Sequence, residues 1–297
     1  KAKMILSKRE PRLPSPTFVK AYLDAFRPKP APSIGDDAPQ GDQTLKRAFE
    51  ALEAQDYAHS LSLFQEALQQ GLSTKELEAA ALNMHGTYMF VMGEAKRALE
   101  DLDRSIELCP ENVQTWVKKA SVHVELGDKD AAMADFDRAV ALNADDPDIY
   151  YHRGQVHFIL GEFEAAMSDY SKSTSLDDTF IFSQVQHAVA SYKLGNIARS
   201  TAEFCRILKK FSDSSESYNY FGELMLDQQR HEDAVANFDK SIALEQAKPK
   251  GKNVLPMINK ALVLFQWKQD LTGAEQLCRD ALRIDPDCDV AIATLAQ

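Results

Sequence analysis

Glycine and proline are scarce, 12 of each in 297 residues, and the four cysteines, Cys109, Cys205, Cys278 and Cys288, form no C-x-x-C pair. The first shortage excludes a collagen-like or low-complexity chain. The second argues against a disulfide framework or a zinc ribbon and fits free thiols in a reducing compartment. Long apolar runs are missing too: nothing approaches the roughly 20 residues that span a bilayer, and Lys1-Ala2-Lys3-Met4 lacks the apolar core of a secretory signal. Positive charge is in deficit, 34 Lys and Arg against 45 Asp and Glu for a net −11. Residues 1–35 hold eight basic and two acidic side chains, which is +6 and leaves −17 for the rest. A body this acidic argues against nucleic acid as a ligand.

What is present is a chain 44% hydrophobic and 27% charged, enough for one or two ordinary cores. It opens without an initiator Met and stops at Leu295-Ala296-Gln297 in the middle of an amphipathic pattern, so both ends are expected to be cuts.

Three columns of residues recur. Gly86, Ala120, Gly154, Ala188 and Gly222 make the first, Ala98, Ala132, Ala166, Ser200 and Ala234 the second, and Leu102, Phe136, Tyr170, Phe204 and Phe238 the third, every step being 34. Looser copies extend the run, with Ala48, Ser60 and Phe64 before it and Ala261, Ala274 and Cys278 after it, for seven units. Two small residues, one on each helix of a pair, let the backbones approach, and the large residue four positions after the second fills the remaining gap. Leu82, Trp116, Tyr150 and Tyr218 add a further large position early in the first helix. Gly93, Gly127, Gly161 and Gly195 fall where one helix ends and the next begins, and Pro110 and Pro286 stop second helices.

This small-small-large spacing at a period of 34 resembles the tetratricopeptide repeat. The expected fold is all-α: a right-handed superhelix of about seven tetratricopeptide helix-turn-helix repeats, its inner face made mainly by the first helix of each pair. The expected domains are a linker over 1–41 with an amphipathic helix near 16–26, a repeat array over 42–288, and the truncated start of a further repeat over 289–297, where Val290, Ile292 and Leu295 share a face. Extra residues around Gly71-Leu72-Ser73-Thr74 and the basic stretch Lys248-Pro249-Lys250-Gly251-Lys252 are expected as surface insertions.

Ahead of the array, Ser15-Pro16 predicts a helix N-cap with proline at the first helical position, and Phe18, Tyr22 and Phe26 recur every four residues until Pro28 blocks continuation. An aromatic stripe rarely stays in water, so this helix is expected to dock on the array in cis. The sharper alternative makes it a joint to a domain upstream.

No G-x-x-x-x-G-K, G-x-S-x-G, H-E-x-x-H or H-R-D occurs, and the glycines sit at turns and packing positions rather than in phosphate loops. No catalytic residue, metal ligand or cofactor is expected. His152 and His157 are five apart, on different sides of a helix, and are read as solvated or facing a partner. Asp145-Asp146-Pro147-Asp148 is read as helix capping, with acids around a positive helix end. Cys278 replaces a large apolar residue in its column and is read as packed.

The repeat register places a second, mostly apolar stripe on the first helices. Its candidate peptide-binding residues are Phe90, Val117, Tyr151, Gln155, Phe158, Val185, Val189, Tyr192, Asn219, Glu223, Leu226, Ile258, Asn259 and Leu262. Aliphatic and aromatic walls with amides and surrounding acids suit a basic amphipathic helix or an extended hydrophobic segment. The competing reading is a scaffold whose inner face is filled by its own helices. An enzyme with a repeat-built arm would need a catalytic domain outside this segment. A clamp for the acidic tails of Hsp70 or Hsp90 would need Lys, Asn and Arg at fixed first-helix positions. Those positions hold Leu45 and Phe49, Asn83 and Thr87, Val117 and Ser121, Tyr151 and Gln155, and Asp148 and His152, so the clamp is disfavoured here.

Three stretches, LPSPTFVKAYLDAFRP at 13–28, NADDPDIYYHRGQVHFIL at 143–160 and NVLPMINKALVLFQWKQD at 253–270, closely resemble the 70-kilodalton receptors of the mitochondrial outer-membrane translocase in their fungal form. The resemblance implies a preprotein-binding module that is not an enzyme and that faces the cytosol on the mitochondrial outer membrane. It would receive hydrophobic carriers and presequence-like helices, work with other translocase subunits, and engage Hsp70 or Hsp90 only through an upstream clamp that this chain lacks. A tetratricopeptide scaffold or co-chaperone adaptor is the alternative.

Overall fold

The structure, a computed structural model, describes residues 12–27 and 29–296. Pro28, expected to stop the first helix, and the basic opening residues up to Pro11 lie outside the described residues, as does Gln297. Every regular element among the described residues is helical.

In chain order these are α1 (Pro16–Asp24), α2 (Gln40–Glu53), α3 (Tyr57–Gln70), α4 (Lys75–Val91), α5 (Ala95–Leu108), α6 (Val113–Glu125), α7 (Lys129–Leu142), α8 (Pro147–Ile159), α9 (Phe163–Leu176), α10 (Ile181–Lys193), α11 (Ile197–Lys210), α12 (Ser215–Asp227), α13 (His231–Ala247), α14 (Leu255–Val263), α15 (Leu271–Ile284) and α16 (Asp289–Leu295). Their lengths and order are those of a tetratricopeptide array, α2 pairing with α3 and so on to α14 with α15, followed by α16. The chain divides into two compact units, and the boundary falls inside α7. Among the described residues, the first holds 12–14 and 30–132; the second holds 15–27, 29 and 133–296.

The small columns do what their spacing implies. A Cβ added at Gly154 would lie 2.7 Å from the Tyr170 ring, and one at Gly222 would lie 2.6 Å from the Phe238 ring. At these two crossings the backbone of the first helix touches the large residue of the second, with no room for even a methyl group. Where the second-helix column carries serine, its hydroxyl donates to the column-one carbonyl of the same hairpin: Ser60 Oγ to Ala48 O at 2.9 Å and Ser200 Oγ to Ala188 O at 2.7 Å. Gly93 and Gly195 close first helices at φ +81° and +82°, the left-handed region that a side chain disfavours.

The first unit is built around Leu45, Phe64, Tyr88 and Leu102, all nearly or fully buried. Phe49 meets Phe64 edge-on at 5.1 Å. In the second unit one cluster joins α10 to α14 through Val185, Phe204, Met225, Phe238 and Val263, another joins α14 to α16 through Val254, Ile258, Ala281, Cys288 and Ala291, and a third gathers Tyr151, Ala166, Tyr170 and Ala190.

The two insertions are tied down more firmly than surface loops. Asp42, 2% exposed, accepts from the backbone N–H of Ser73 at 3.0 Å. In the basic stretch, Lys248 Nζ lies 2.7 Å from Glu245 and 3.3 Å from Glu216, and Asn253 N–H donates to the other Glu245 oxygen at 2.8 Å. The basic stretch lies at the surface as expected, with Pro249 and Lys250 exposed, while Lys248 at its head is half-buried in an ion-paired cluster. After Val263 the helix widens into a π turn, Leu264–Lys268, ending on Gln269 at φ +55°. That widening accounts in part for the longer step to the seventh unit, and it brings Trp267 against the α10–α14 cluster.

Candidate peptide-binding face

Within the second unit, α8, α10, α12, α14 and α16 are the first helices, and in a stack of hairpins these line the concave side. The segment 15–27 reaches both ends of this row: α1 meets the cluster of α14, α15 and α16, and the residues just after it meet the N-terminal half of α8. Phe18 packs against the cluster formed by α14, α15 and α16, and Ala25 against the cluster around Tyr151. Phe26, 7% exposed, stacks on the His152 imidazole with ring centroids 4.1 Å apart. The expectation that the amphipathic helix docks in cis therefore holds, and the expectation of an open hollow is corrected over this part of the face.

Electrostatics fix the end of the segment. Arg27 Nε donates to Asp148 Oδ1 at 2.8 Å, Nη2 to Asp146 Oδ1 at 2.6 Å, and Nη1 lies 3.8 Å from Asp177. Its backbone N–H donates to the second Asp148 oxygen at 3.3 Å. Burial works against the Arg27 charge, but Asp148 and Asp146 outweigh it and hold its pKa above the usual value. Asp148 lies deeper: burial raises its pKa despite Arg27, and the neighbouring Asp146 adds to the rise. Asp177 is held below the usual range by the Thr179 hydroxyl and backbone N–H, with help from Arg27. At the other end of α1, Thr17 N–H donates to the buried Asp285 at 3.2 Å.

The expected binding residues divide into three groups. Phe90, half-buried on α4, and Val117, fully buried on α6, belong to the first unit. Val117, Tyr151, Val185 and Ile258 are packing residues at 0%, 5%, 1% and 1% exposure, so their side chains are not free for a ligand; the last three are members of the clusters described above. The physical reason is that hairpin stacking buries more of each first helix than the small columns alone predict. Burial also pushes the Tyr151 hydroxyl pKa upward.

A second group forms a polar cluster across α12 and α14. Asn219 Nδ2 donates to Glu223 Oε1 at 2.8 Å, and Asn259 Nδ2 lies 2.8 Å from the same oxygen and 3.0 Å from Asn219 Oδ1. Surrounding protein raises the Glu223 pKa against these two amides. The third group, Gln155, Phe158, Val189, Tyr192, Leu226 and Leu262, is half-buried and keeps reachable surface. Phe158 meets Phe163 edge-on at 5.2 Å, and beside it Ile159 is 69% and Leu160 42% exposed. Phe158, Tyr192, Leu226 and Leu262 thus lie toward the C-terminal ends of their first helices and stay partly accessible, while Phe158 also packs against the Tyr151 cluster and Tyr192 and Leu226 against the α10–α14 cluster.

Sequence reasoning missed the arginine notch. Asp146 does cap α8, accepting from Asp148 N–H at 3.0 Å, and Pro147 occupies the first turn as expected. The same acids also receive Arg27. The signal was a basic residue closing an aromatic stripe in an otherwise acidic chain, but sequence does not say which acids it meets. His152, expected to be solvated or partner-facing, is buried against Phe26, whereas His157 Nδ1 pairs with Glu162 at 2.7 Å. Among the described residues no group of three His, Cys, Asp or Glu is arranged to hold a metal ion, and no helix is long and apolar enough to cross a membrane.

Comparison with known proteins places this arrangement. Residues 120–161 match a family model described as TPR repeat, and 147–180 match one described as Tetratricopeptide repeat. Mitochondrial import receptor subunit TOM70 of Homo sapiens is 28% identical over 99% of this chain and 52% of its own length. The Saccharomyces cerevisiae protein of that name is 27% identical over 97% and 49%. The crystal structure of yeast Tom70 superposes with a TM-score of 0.86 at 26% identity, covering 96% of this chain and 62% of that one. A tetratricopeptide repeat protein from Parabacteroides merdae, at 16% identity and a TM-score of 0.62 over 86% of this chain and 97% of its own, shares the fold alone. The chain spans about half the length of the curated relatives it matches.

Proposed function

We propose that this chain, similar to the TOM70 mitochondrial import receptors, is the preprotein-binding module of such a receptor. It acts without catalysis, facing the cytosol at the mitochondrial outer membrane. It captures hydrophobic carriers or presequence-like helices by their targeting segments and passes them to other translocase subunits. Any Hsp70 or Hsp90 contact belongs to a clamp outside this chain.

One observation supports the mechanism: the first helices of the second unit keep partly accessible apolar side chains toward their C-terminal ends, Phe158, Tyr192, Leu226 and Leu262, with Ile159 at 69% exposure next to Phe158 in the chain. Exposed acids near these residues on α12, Glu223 and Asp227, favour a basic helix. A helix that buried roughly 400 Å² of apolar surface there would gain about 10 kcal/mol before association costs of about 4–15 kcal/mol. The remainder is weak, reversible binding, which suits handover.

The test is a fluorescence-anisotropy titration of labelled presequence and carrier-segment peptides against the full chain. Phe158→Ala, Ile159→Asp and Leu262→Ala are each expected to weaken binding about tenfold. Unchanged affinity in all three rejects this face. The competing scaffold reading draws on one specific observation, the occupation of part of the face by α1, and it expects no peptide to bind at all.

A further inference from the structure

α1 belongs to no hairpin. It is a nine-residue helix, Pro16–Asp24, joined on both sides by irregular chain, and it lies on first helices that come from far along the sequence. The contacts of the segment 15–27 are those of a bound ligand: Phe18 seated on an apolar cluster, Phe26 stacked on the His152 imidazole, and a closing arginine gripped by carboxylates.

The notch that grips Arg27 is demanding. The side chains of Asp146 and Asp148 are only 8% and 3% exposed and lie within two residues of each other, so like charges are held together out of water. The guanidinium compensates both at once through its fork. A segment that covered the notch without an arginine would leave two enclosed carboxylates unpaired, which is strongly unfavourable. A competitor that brings its own arginine meets no such barrier, whereas one without it does. The face therefore selects by exchange.

The opposite end of the segment is loosely satisfied. Asp285 Oδ1, Ser15 Oγ and Thr17 Oγ1 are all buried and make no hydrogen bond among the described residues. Ser15 is the N-cap of α1, yet its hydroxyl makes no cap bond. Unmet polar groups of this kind weaken the seat without altering its shape. A helix with a better-matched end would compete well.

We propose that the first-helix face of the second unit is a site for a short amphipathic helix bearing an aromatic residue every fourth position and a closing arginine, that residues 15–27 hold this site in cis, and that an incoming helix of the same chemistry binds by displacing them. The inference deepens the receptor reading, on which it rests for the identity of the incoming helix as a targeting segment. Arg27 reports occupancy, and Asp148 reads the arginine.

The experiment uses the full chain and a fluorescein-labelled synthetic peptide of residues 13–29. Wild type is expected to bind it weakly, because the cis copy occupies the site. Arg27→Glu, which drives the cis copy from the acids, is expected to bind it at least tenfold more tightly. Adding Asp148→Asn to Arg27→Glu is expected to undo that gain, and a peptide carrying the Arg27→Glu change is expected not to bind. Far-UV circular dichroism establishes that each variant is folded. Should Arg27→Glu fail to fold, hydrogen exchange on wild type decides instead: saturating unlabelled peptide is expected to accelerate exchange of the amides of α1. A folded Arg27→Glu that ignores the peptide overturns the proposal, as does binding indifferent to Asp148→Asn, or α1 protection unchanged at saturation. Targeting peptides that bind wild type and Arg27→Glu equally would leave the receptor reading standing and sink exchange. Entry of the 13–29 peptide with no binding of any targeting peptide would do the reverse.

Discussion

The two units carry the same hairpins but finish the faces of their first helices differently. In the first, the face is closed by its own side chains: Lys118, 4% exposed on α6, reaches Asn83 Oδ1 at 2.7 Å and Thr87 Oγ1 at 2.9 Å on α4, and Asn83 Nδ2 donates to Thr115 Oγ1 at 2.8 Å. In the second, equivalent helices meet a helix drawn from before the array, and its arginine sits among carboxylates. A paired cation serves both units, the buried Lys118 in the first and the half-buried Arg27 in the second. One is built into the repeat, and the other arrives on a separate segment. The repeat fixes how hairpins stack; what covers the inner positions is free to differ, and that freedom is where recognition resides.

Matched substitutions break or sharpen this contrast. If the scaffold is common to both units, Leu102→Ala in the first and Phe238→Ala in the second should each cost about 3–5 kcal/mol in denaturant unfolding, since both side chains are fully enclosed. A cost confined to one unit would show that the hairpins are not equivalent. Asp148→Ala should cost about 1–3 kcal/mol, because Arg27 lies at the rim and regains some solvent. It should also abolish hydrogen-exchange protection over residues 15–27. Lys118→Met should cost about 1–2 kcal/mol through the polar groups it deserts. Protection of α1 should then be unchanged, and a change would mean that the two faces are coupled.

The smallest effect concerns pH. Burial opposes ionisation of Glu203, but His187 Nδ1 at 2.9 Å and Arg199 Nε at 2.8 Å prevail and lower its pKa. A depressed carboxyl contributes stability above its unfolded pKa, about 4.3, and loses it as pH falls through the folded value. Wild type should therefore exceed Glu203→Gln by about 1 kcal/mol near neutrality, with the gap closing in acid melts.

The scaffold was legible in the sequence because stacking is local and periodic. Gly154 and Gly222 had to be small because Tyr170 and Phe238 lie 16 residues on, where one hairpin turn returns them. The Phe18–Tyr22–Phe26 stripe announced a docking helix for the same reason. The face was only half legible. Register separates inward from outward positions, but not an inward residue that a neighbouring hairpin buries, such as Val185, from one that stays reachable, such as Tyr192. The joining of Arg27 to Asp146 and Asp148 has no period at all, since they stand 119 and 121 positions apart.

That separation has a consequence during synthesis. Thr17 meets Asp285 across 268 residues, so at ribosomal rates of about 5–20 residues per second the aromatic stripe of α1 waits roughly 13–54 s for its far seat to be made. Until α8 supplies Asp146, Asp148 and His152, a nascent chain displays a sticky, arginine-tipped helix with nothing of its own to hold it, and even after that its Phe18 end stays unseated until translation has delivered α16.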